Sequence, residues 1–419
     1  MRRKAIVAGA VGNVVEWYDF VVYAYMAKVI GGLFFPSGDE RVTMLASLAV
    51  FGVGFAARPL GAILFAHYGD RAGRQRALSL SVLLMGGSTL LMALLPTYSA
   101  IGWLAPALLV LARLVQGASA GGEFAGSGAF LVEYAPRGRR ALYGSIQQVT
   151  IAIGLLLGSG LVTAMTLTMS PQAFASWGWR LVFAIGSVFA LSGLYIRAKV
   201  PETPEFTKVQ QTGDVEKRPL VAVWRQYRRQ LLFIIPMTAG PAVVYYLYQT
   251  YLVNFAVSVL KMAPQTALLA NTIGLIGFAV SLPVAAMLSD RFGRKPVLVV
   301  HGLAVILLSY PLFAWMDASR SFGSVVAAAI VGNVMAGLYG GPVIAAYVEM
   351  FPAKVRYSGF SVPYGIALAL FGGTAPFVAE LLTGVFPVPV GATLELTVLM
   401  VISLFCFFKM SETHKSELE

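Results

Sequence analysis

The sequence predicts an all-α polytopic membrane protein with twelve transmembrane helices in two pseudo-symmetric six-helix bundles. Of its 419 residues, 58% are hydrophobic and 12% are charged, whereas a soluble chain carries about 25% charged residues. About twelve apolar segments are long enough to cross a bilayer, and short motifs recur at matching places in the two halves of the chain. The net charge of +12 comes from basic residues in the loops between apolar segments, so we expect a lipid bilayer as partner and no nucleic acid.

We place the apolar segments in chain order by their hydropathy. The first is too long for the core of a signal peptide and is read as retained. One cysteine, Cys406, excludes an internal disulfide framework. The predicted spans are 5–32, 43–67, 77–95, 99–133, 141–167, 179–198, 230–259, 267–289, 296–315, 322–350, 358–384 and 391–409.

The distribution of basic residues predicts the orientation. Most of the 31 lysines and arginines fall in the N-terminal residues, in alternate loops and in the C-terminal tail. Because cytoplasmic loops are enriched in these residues, we expect both termini in the cytoplasm. The domains predicted are an N-terminal six-helix bundle over 1–198, a cytoplasmic linker over 199–229 and a C-terminal six-helix bundle with a short tail over 230–419.

The loop motifs form an internal repeat. Asp-Arg-x-Gly-Arg stands at 70–74 and again at 290–294, and "VEYAPRGRRALYGS" near the end of span 4 matches "VEMFPAKVRYSGFS" near the end of span 10. A carboxylate at the first position of the loop can accept hydrogen bonds from the free N–H groups at the start of a facing helix. Carriers built from such repeats hold substrate near the bilayer midplane. We therefore predict a cytoplasmic gate of Asp70, Arg71, Gly73, Arg74, Glu133, Arg137, Arg140, Asp290, Arg291, Gly293, Arg294, Glu349 and Arg356.

Six motifs in order make the chain resemble a known family. They are "GNVVEWYDF", "ARPLGA", "GDRAGR", "RLVQGASAGGEFAG", "SWGWR" and "EMFPAKVRYSG". The chain is similar to the major facilitator superfamily and, within it, to the metabolite:proton symporters, which include carriers of α-ketoglutarate, citrate, shikimate and proline or betaine. The resemblance implies twelve helices in two bundles, and it implies a part in proton coupling for Arg113 of "RLVQG". The chain departs from the superfamily pattern at Ala66 and Ala286, where glycine is usual, and at Gln75, where a basic residue is usual.

Five charged residues fall inside predicted spans of the first half: Glu16, Asp19, Arg58, Arg113 and Glu123. Each costs roughly 2.5–3.5 kcal/mol on insertion scales, so such residues indicate function. A rise of about 1.5 Å per residue brings the acids and arginines to overlapping depths. An arginine can bind a substrate carboxylate while a buried acid exchanges a proton. We predict proton coupling by Asp19, Glu16, Glu123 and Arg113, with Asp19 favoured as the proton carrier; the alternative is that these charges only brace the bundle.

Polar and aromatic residues within spans supply the remaining candidates. Tyrosine offers an apolar wall with a hydrogen-bonding tip, and an amide is costly to leave unpaired in lipid. In "SIQQVT" of span 5, we expect Gln147 or, as the alternative, Gln148 to face the cavity. The residues predicted to bind substrate are Arg113, Arg58, Gln147, Tyr245, Tyr248, Asn271 and Asn333.

These features predict a proton-coupled symporter of a small organic anion, a mono-, di- or tricarboxylate, that works by alternating access. We expect a monomer in the cytoplasmic (inner) membrane of a bacterium. The alternatives are a proton- or sodium-coupled carrier of a zwitterion such as betaine or proline, and a nutrient sensor that does not transport. The three histidines are scattered, and no HExxH, GxSxG or P-loop pattern occurs, so we expect no enzyme, no cofactor and no metal.

Overall fold

The computed structural model describes residues 2–72, 74–121, 131–132, 135–198, 219–351 and 356–415. Within these residues, nine helical stretches are long and apolar enough to cross a membrane, and two shorter apolar helices cover Ser79–Leu94 and Leu104–Ala120. Each of the twelve predicted spans coincides with helix over all or part of its length. The predicted all-helical membrane architecture is confirmed.

The first half contains seven long helices in the described residues. They are α1 (Arg2–Tyr25), α2 (Glu40–Ala56), α3 (Arg58–Ala72), α4 (Arg74–Leu94), α5 (Leu104–Ala120), α6 (Arg140–Thr168) and α7 (Trp179–Ala198). Met26 separates α1 from a short helix, Ala27–Phe34, that continues the same span. The carboxylate of Asp39 caps the start of α2 by accepting hydrogen bonds from the N–H groups of Arg41 and Val42. Pro59 stands in the first turn of α3, where a missing N–H group is tolerated.

The second half begins with a helix that is bent. Tyr227 has a non-helical backbone (φ −121°, ψ 23°) inside it, so the last residues of the predicted linker, from Pro219 onward, are helical. Residues 199–218 lie outside the described part of the chain, and the linker boundaries stay a prediction. The helices are α8 (Pro219–Tyr246), α9 (Pro264–Phe292), α10 (Arg294–Ser319), α11 (Phe322–Val348), α12 (Arg356–Ala367) and α13 (Val388–Lys409).

Two helices of the second half are interrupted by π-helical turns. One turn, Leu247–Tyr251, joins α8 to the short helix Leu252–Ser258. The other, Leu368–Gly372, follows α12 and precedes the short helix Ala375–Leu382. Such turns are frequent at functional sites, and both lie next to the space between the halves.

Close packing sets the positions of the interior side chains. Helix α6 of the first half packs against α9 and α11 of the second. Helices α2 and α5 approach so closely that a Cβ atom at Gly117 would overlap the carbonyl oxygen of Gly54. Glycine is therefore required at Gly117, and Arg113, one turn earlier on α5, is held inside the first half.

Candidate functional site

An aromatic cavity lies between the two halves, near the middle of the spans. Its free volume of about 10 Å³ is room for about one water molecule, so the lining side chains nearly fill the cavity in this structure. Its lining has an apolar and aromatic surface with hydroxyl and amide groups, and the described lining residues carry no formal charge. They are Trp17, Gln148, Ile151, Thr238, Ala242, Tyr245, Tyr246, Tyr339, Tyr364 and Leu368.

A buried ion pair lies directly behind this lining. Arg58 Nη2 lies 3.1 Å from Glu16 Oε1, and the two side chains are 6% and 1% exposed. The guanidinium lies over the rings of Phe20, Phe55 and Trp17, with Cζ 4.2, 4.5 and 5.3 Å from the ring centroids. Trp17 therefore contacts the arginine and also lines the cavity.

A second group of buried polar residues joins Arg113 to Asp19 through two side chains. Arg113 donates a hydrogen bond to Gln116 Oε1. Gln116 Nε2 donates to Thr89 Oγ1 at 2.9 Å, and Thr89 Oγ1 lies 2.8 Å from Asp19 Oδ2. All four side chains are buried, and among the described ion pairs none joins Arg113 to Asp19. The predicted partners are thus connected indirectly, by a chain of hydrogen bonds.

At one end of the molecule, the two halves are joined by the Glu349 cluster, which we define as Arg140, Asp290, Arg294 and Glu349. Glu349 Oε1 lies 3.0 Å from Arg294 and 3.4 Å from Arg140 of the first half. Asp290 accepts hydrogen bonds from the N–H groups of Ala141 and Leu142 at 2.9 and 3.0 Å. A carboxylate of the second half thus caps the start of α6 in the first half.

The C-terminal tail packs onto this cluster. The Glu412 carboxylate accepts hydrogen bonds from the N–H groups of Arg294 and Lys295, both at 2.9 Å, and Thr413 Oγ1 donates to Glu349 at 2.6 Å. Gly293, with φ +111°, leaves room for this carboxylate because a Cβ there would lie 2.5 Å from it. Burial acts to raise the pKa of Glu412, but the N–H donors of Arg294, His414 and Lys295 outweigh it and hold that pKa below its usual value.

At the opposite end, an arginine of the first half reaches the second half. Arg41 Nη2 donates to the carbonyl oxygens of Glu380 and Leu381 at 2.6 and 3.1 Å. These carbonyls belong to the last turn of the helix Ala375–Leu382, where a cation is favoured. The guanidinium occupies the space that a Cβ at Gly384 would fill. The halves therefore touch at both ends, and the cavity lies between the two contacts.

The structure brings some predicted site residues to the cavity and leaves others away from it. Tyr245 lines it, and its hydroxyl donates to Gln148 Oε1 at 3.3 Å. Of the two glutamines of "SIQQVT", Gln148 lines the cavity, whereas Gln147 is buried and is not among the lining residues. Tyr248 packs inside the second half against Phe313 and Gly332, because the helical step between 245 and 248 turns its ring away.

The two predicted asparagines also lie away from the cavity. Asn271 lies 3.4 Å from Ser159 at the seam between α9 and α6, and Asn333 donates to the carbonyl oxygen of Ala329 on its own helix at 2.9 Å. Each amide N–H group is therefore bonded within the protein, a contact that a sequence pattern does not distinguish from binding to a ligand.

The predicted gate residues fall into three groups. Arg140, Asp290, Arg294 and Glu349 meet, and Gly293 adjoins them. Arg137 and Arg291 are exposed, and Arg291 lies over its neighbour Phe292. Outside the described residues lie Gly73 and Glu133, together with the side chains of Asp70, Arg71, Arg74 and Arg356. Glu123, predicted to take part in proton coupling, also lies outside them.

Sequence reasoning missed several residues of the site. Trp17 and Tyr246 lie next to candidates that were singled out, and the aromatic run "VVYYLYQTY" is the signal that includes Tyr246. Gln116 belongs to the motif "RLVQG", yet only its arginine was chosen. Thr89 had no signal, because one threonine in an apolar span is ordinary.

Comparison with known proteins places the chain in a family. The model of the Major Facilitator Superfamily matches residues 21–362. The chain is 35% identical over 385 residues to the inner membrane metabolite transport protein YhjE of Escherichia coli (strain K12), covering 90% of this chain and 87% of that one. It is 36% identical over 389 residues to the shikimate transporter of the same organism, covering 92% and 88%.

A solved structure supports the fold independently of sequence. The D-xylose-proton symporter superposes with a TM-score of 0.76 over 99% of each chain, at 18% identity. At that identity the likeness concerns the fold alone. Taken with the sequence relatives, it shows that the chain belongs to the Major Facilitator Superfamily, within the group of its metabolite transporters, and is an integral membrane transporter.

Proposed function

We propose that the protein couples the entry of a small organic anion, a mono-, di- or tricarboxylate, to the entry of protons by alternating access. The observation that carries this proposal is the Glu16–Arg58 pair, buried directly behind the aromatic wall of the cavity. Arginine holds a carboxylate in two-point geometry and stays charged. A substrate carboxylate that reaches Arg58 therefore competes with Glu16.

Displacing Glu16 from Arg58 leaves a buried carboxylate without its cation. Proton uptake by the neighbouring acid, Asp19, then lowers the negative charge that remains buried, so anion binding and proton binding favour one another. Asp19 is the second acid in this interior, and we assign the transported proton to it and the bracing of α1 to Glu16. Arg113 and Glu123 complete the proposed coupling group. Sodium in place of the proton is the alternative for the same carboxylates.

The two end contacts support alternating access. We propose that the Glu349 cluster, with its repeat counterpart around Asp70, is the cytoplasmic gate, and that the Arg41 contact closes the periplasmic side. This assigns both termini to the cytoplasm of a bacterium and the chain to its inner membrane, as the basic loops predict. Each contact consists of a charged side chain on a helix end, so opening it exposes groups that water solvates well.

The lining of the cavity favours a second candidate substrate class. Trp17, Tyr245, Tyr246, Tyr339 and Tyr364 present aromatic faces, which attract organic cations. A proline/betaine transporter of Salmonella typhimurium is 34% identical over 421 residues, covering 98% of this chain and 84% of that one. A zwitterion with its carboxylate toward Arg58 and its ammonium among these rings is therefore the alternative that we keep.

Uptake into proteoliposomes with an imposed pH gradient tests the proposal. The panel is radiolabelled shikimate, α-ketoglutarate, citrate and glycine betaine, and vesicles with a protonophore are the control. We expect an organic anion to accumulate above equilibrium and the protonophore to abolish the excess. Accumulation of betaine alone would favour the second candidate. Binding without accumulation of any compound would favour a sensor.

A further inference from the structure

Thr89 occupies a junction in the interior of the first half. Its Oγ1 lies 2.8 Å from Asp19 Oδ2, 2.9 Å from Gln116 Nε2 and 3.0 Å from the carbonyl oxygen of Met85. The residue is fully buried on α4. Three possible partners surround a hydroxyl that has one hydrogen to donate, so the bonds cannot all have the same direction at one time.

The directions follow from counting hydrogens. Arg113 is only a donor, so its bond to Gln116 requires the amide oxygen of Gln116 on that side. The amide N–H group of Gln116 then points to Thr89, which must accept. The single hydroxyl hydrogen of Thr89 is left to choose between the Asp19 carboxylate and the Met85 carbonyl, both of which are acceptors when Asp19 is ionised.

We propose that Thr89 is a positioning residue for proton coupling, whose hydroxyl hydrogen turns between Asp19 and the Met85 carbonyl according to whether Asp19 holds a proton. With Asp19 ionised, Thr89 donates to Asp19. With Asp19 protonated, the carboxyl O–H donates to Thr89 and the hydroxyl hydrogen of Thr89 donates to Met85. The heavy atoms keep their places in both states, and the only atom gained is the proton on Asp19. This inference rests on the proton coupling proposed above.

The switch has a consequence for Arg113. With Asp19 ionised, every bond runs in one direction, from Arg113 through Gln116 and Thr89 to the carboxylate, and aligned hydrogen bonds strengthen one another. Protonation reverses the last bond and removes the negative end. Arg113 then loses its distant counter-charge. Its Cζ lies 4.9 and 5.8 Å from the ring centroids of Phe20 and Phe51, which line a second cavity that shares Trp17 and Tyr246 with the first.

The surroundings of Asp19 allow this role. Helix α4 contributes Thr89, α5 contributes Arg113, and α7 contributes Gly186, where a Cβ would overlap Asp19 Oδ1. On α1, Tyr18 donates to the carbonyl oxygen of Val182 and Tyr23 to that of Ser47. Glu16, one turn away, is paired with Arg58. Protonation of Asp19 therefore changes the orientation of the Thr89 hydroxyl and removes the counter-charge of Arg113.

The test compares Thr89→Val with two matched variants. Thr89→Val removes the hydroxyl but keeps the shape, whereas Thr89→Ser keeps the hydroxyl. Ser88→Ala removes the neighbouring hydroxyl, which also donates to Met85, at 2.8 Å. The readout is the pH dependence of uptake of the anion that the wild-type protein accumulates, with counterflow at fixed pH as the measure of turnover.

We expect Thr89→Val to extend uptake to higher pH, moving the alkaline half-maximum by about one to two pH units, while Thr89→Ser and Ser88→Ala keep the wild-type profile. Thr89→Ala repeats the test with less bulk beside the carboxylate. A wild-type profile in either folded hydroxyl-free variant would overturn the inference. If the wild-type protein showed no pH dependence, the proposed coupling itself would fail.

A spectroscopic readout needs no Thr89 variant. Protonated Asp19 in the wild-type protein should give the infrared C=O band of a carboxyl that donates a hydrogen bond, and the band should be absent from Asp19→Asn. The band of a carboxyl without a hydrogen bond would contradict the switch.

Discussion

Replacing Arg58 with methionine separates bracing by the Glu16–Arg58 pair from its use in transport. The change removes a guanidinium that lies 3.1 Å from Glu16 and 4.2 and 4.5 Å from the ring centroids of Phe20 and Phe55. Because both charges are buried, the loss of one partner costs about 3–5 kcal/mol. The lost contacts with the rings add about 1–2 kcal/mol. We therefore expect Arg58→Met to lower the free energy of unfolding by the sum of these two costs, about 4–7 kcal/mol.

The double variant Glu16→Leu/Arg58→Met supplies the comparison. Replacing a buried pair by apolar side chains of similar size is often neutral, so we expect it to regain most of the stability. The assay is unfolding in mixed micelles with increasing sodium dodecyl sulfate, followed by circular dichroism. Lys28→Met is the control, because the Lys28–Glu40 pair is exposed, at 3.7 Å, and should contribute less than about 1 kcal/mol.

Two results would refute this reasoning. A loss below about 1 kcal/mol in Arg58→Met would mean that the pair does not stabilise the interior. A double variant no more stable than the single one would mean that the rings, and not Glu16, account for the cost. Transport by the stable double variant then decides the function of the pair: activity would leave it as a brace, and inactivity would support its role in binding.

Three further predictions concern the proton carrier and the two ends of the molecule. Asp19→Asn should abolish accumulation driven by a pH gradient and leave exchange of substrate across the membrane; full accumulation in this variant would exclude Asp19 as the carrier. Arg41→Met removes the hydrogen bonds to the carbonyl oxygens of Glu380 and Leu381, so it should raise the rate at which a Tyr246→Cys side chain is labelled from the periplasmic side. Lys28→Met is the control and should leave the labelling rate unchanged. An unchanged rate in Arg41→Met would argue against a gate at this contact. Glu412→Ala should cost about 0.5–2 kcal/mol as a lost helix cap. Because the pKa of Glu412 is lowered in the folded protein, its contribution to stability is present above the ordinary glutamate pKa and is lost as pH falls through the lowered pKa. The melting temperatures of the wild type and of Glu412→Ala should therefore differ at neutral pH and converge at acidic pH.

The sequence was sufficient for the fold because the bilayer imposes simple rules. Every span must satisfy its own backbone, so apolar length alone locates the helices. The repeat of Asp-Arg-x-Gly-Arg then assigns the two halves. The close approach of Gly54 and Gly117 was not predictable, since it depends on how two distant helices cross.

The site was predictable in its charges and less so in its neutral residues. Glu16 and Arg58 were chosen because charge in a span demands a partner, and the structure pairs them. Choosing among Tyr245, Tyr246 and Tyr248 requires the rotation of α8, which ends in a π-helical turn at Leu247 that alters the helical step. The role of Thr89 could not be predicted from the sequence, because it depends on contacts with Asp19 and Gln116 on other helices.

The anchored tail offers a place from which to watch the carrier work. Thr413 contacts Glu349, and Glu349 contacts Arg140 of the first half, so the tail lies at the seam that opens in the proposed transport cycle. Spin labels at Lys415 and Arg139, both exposed, would give a distance that lengthens when the seam opens. This pair of labels leaves every side chain of the proposed transport path unchanged. Distances measured between the labels by pulsed electron paramagnetic resonance could therefore follow turnover in a protein with an unmodified interior.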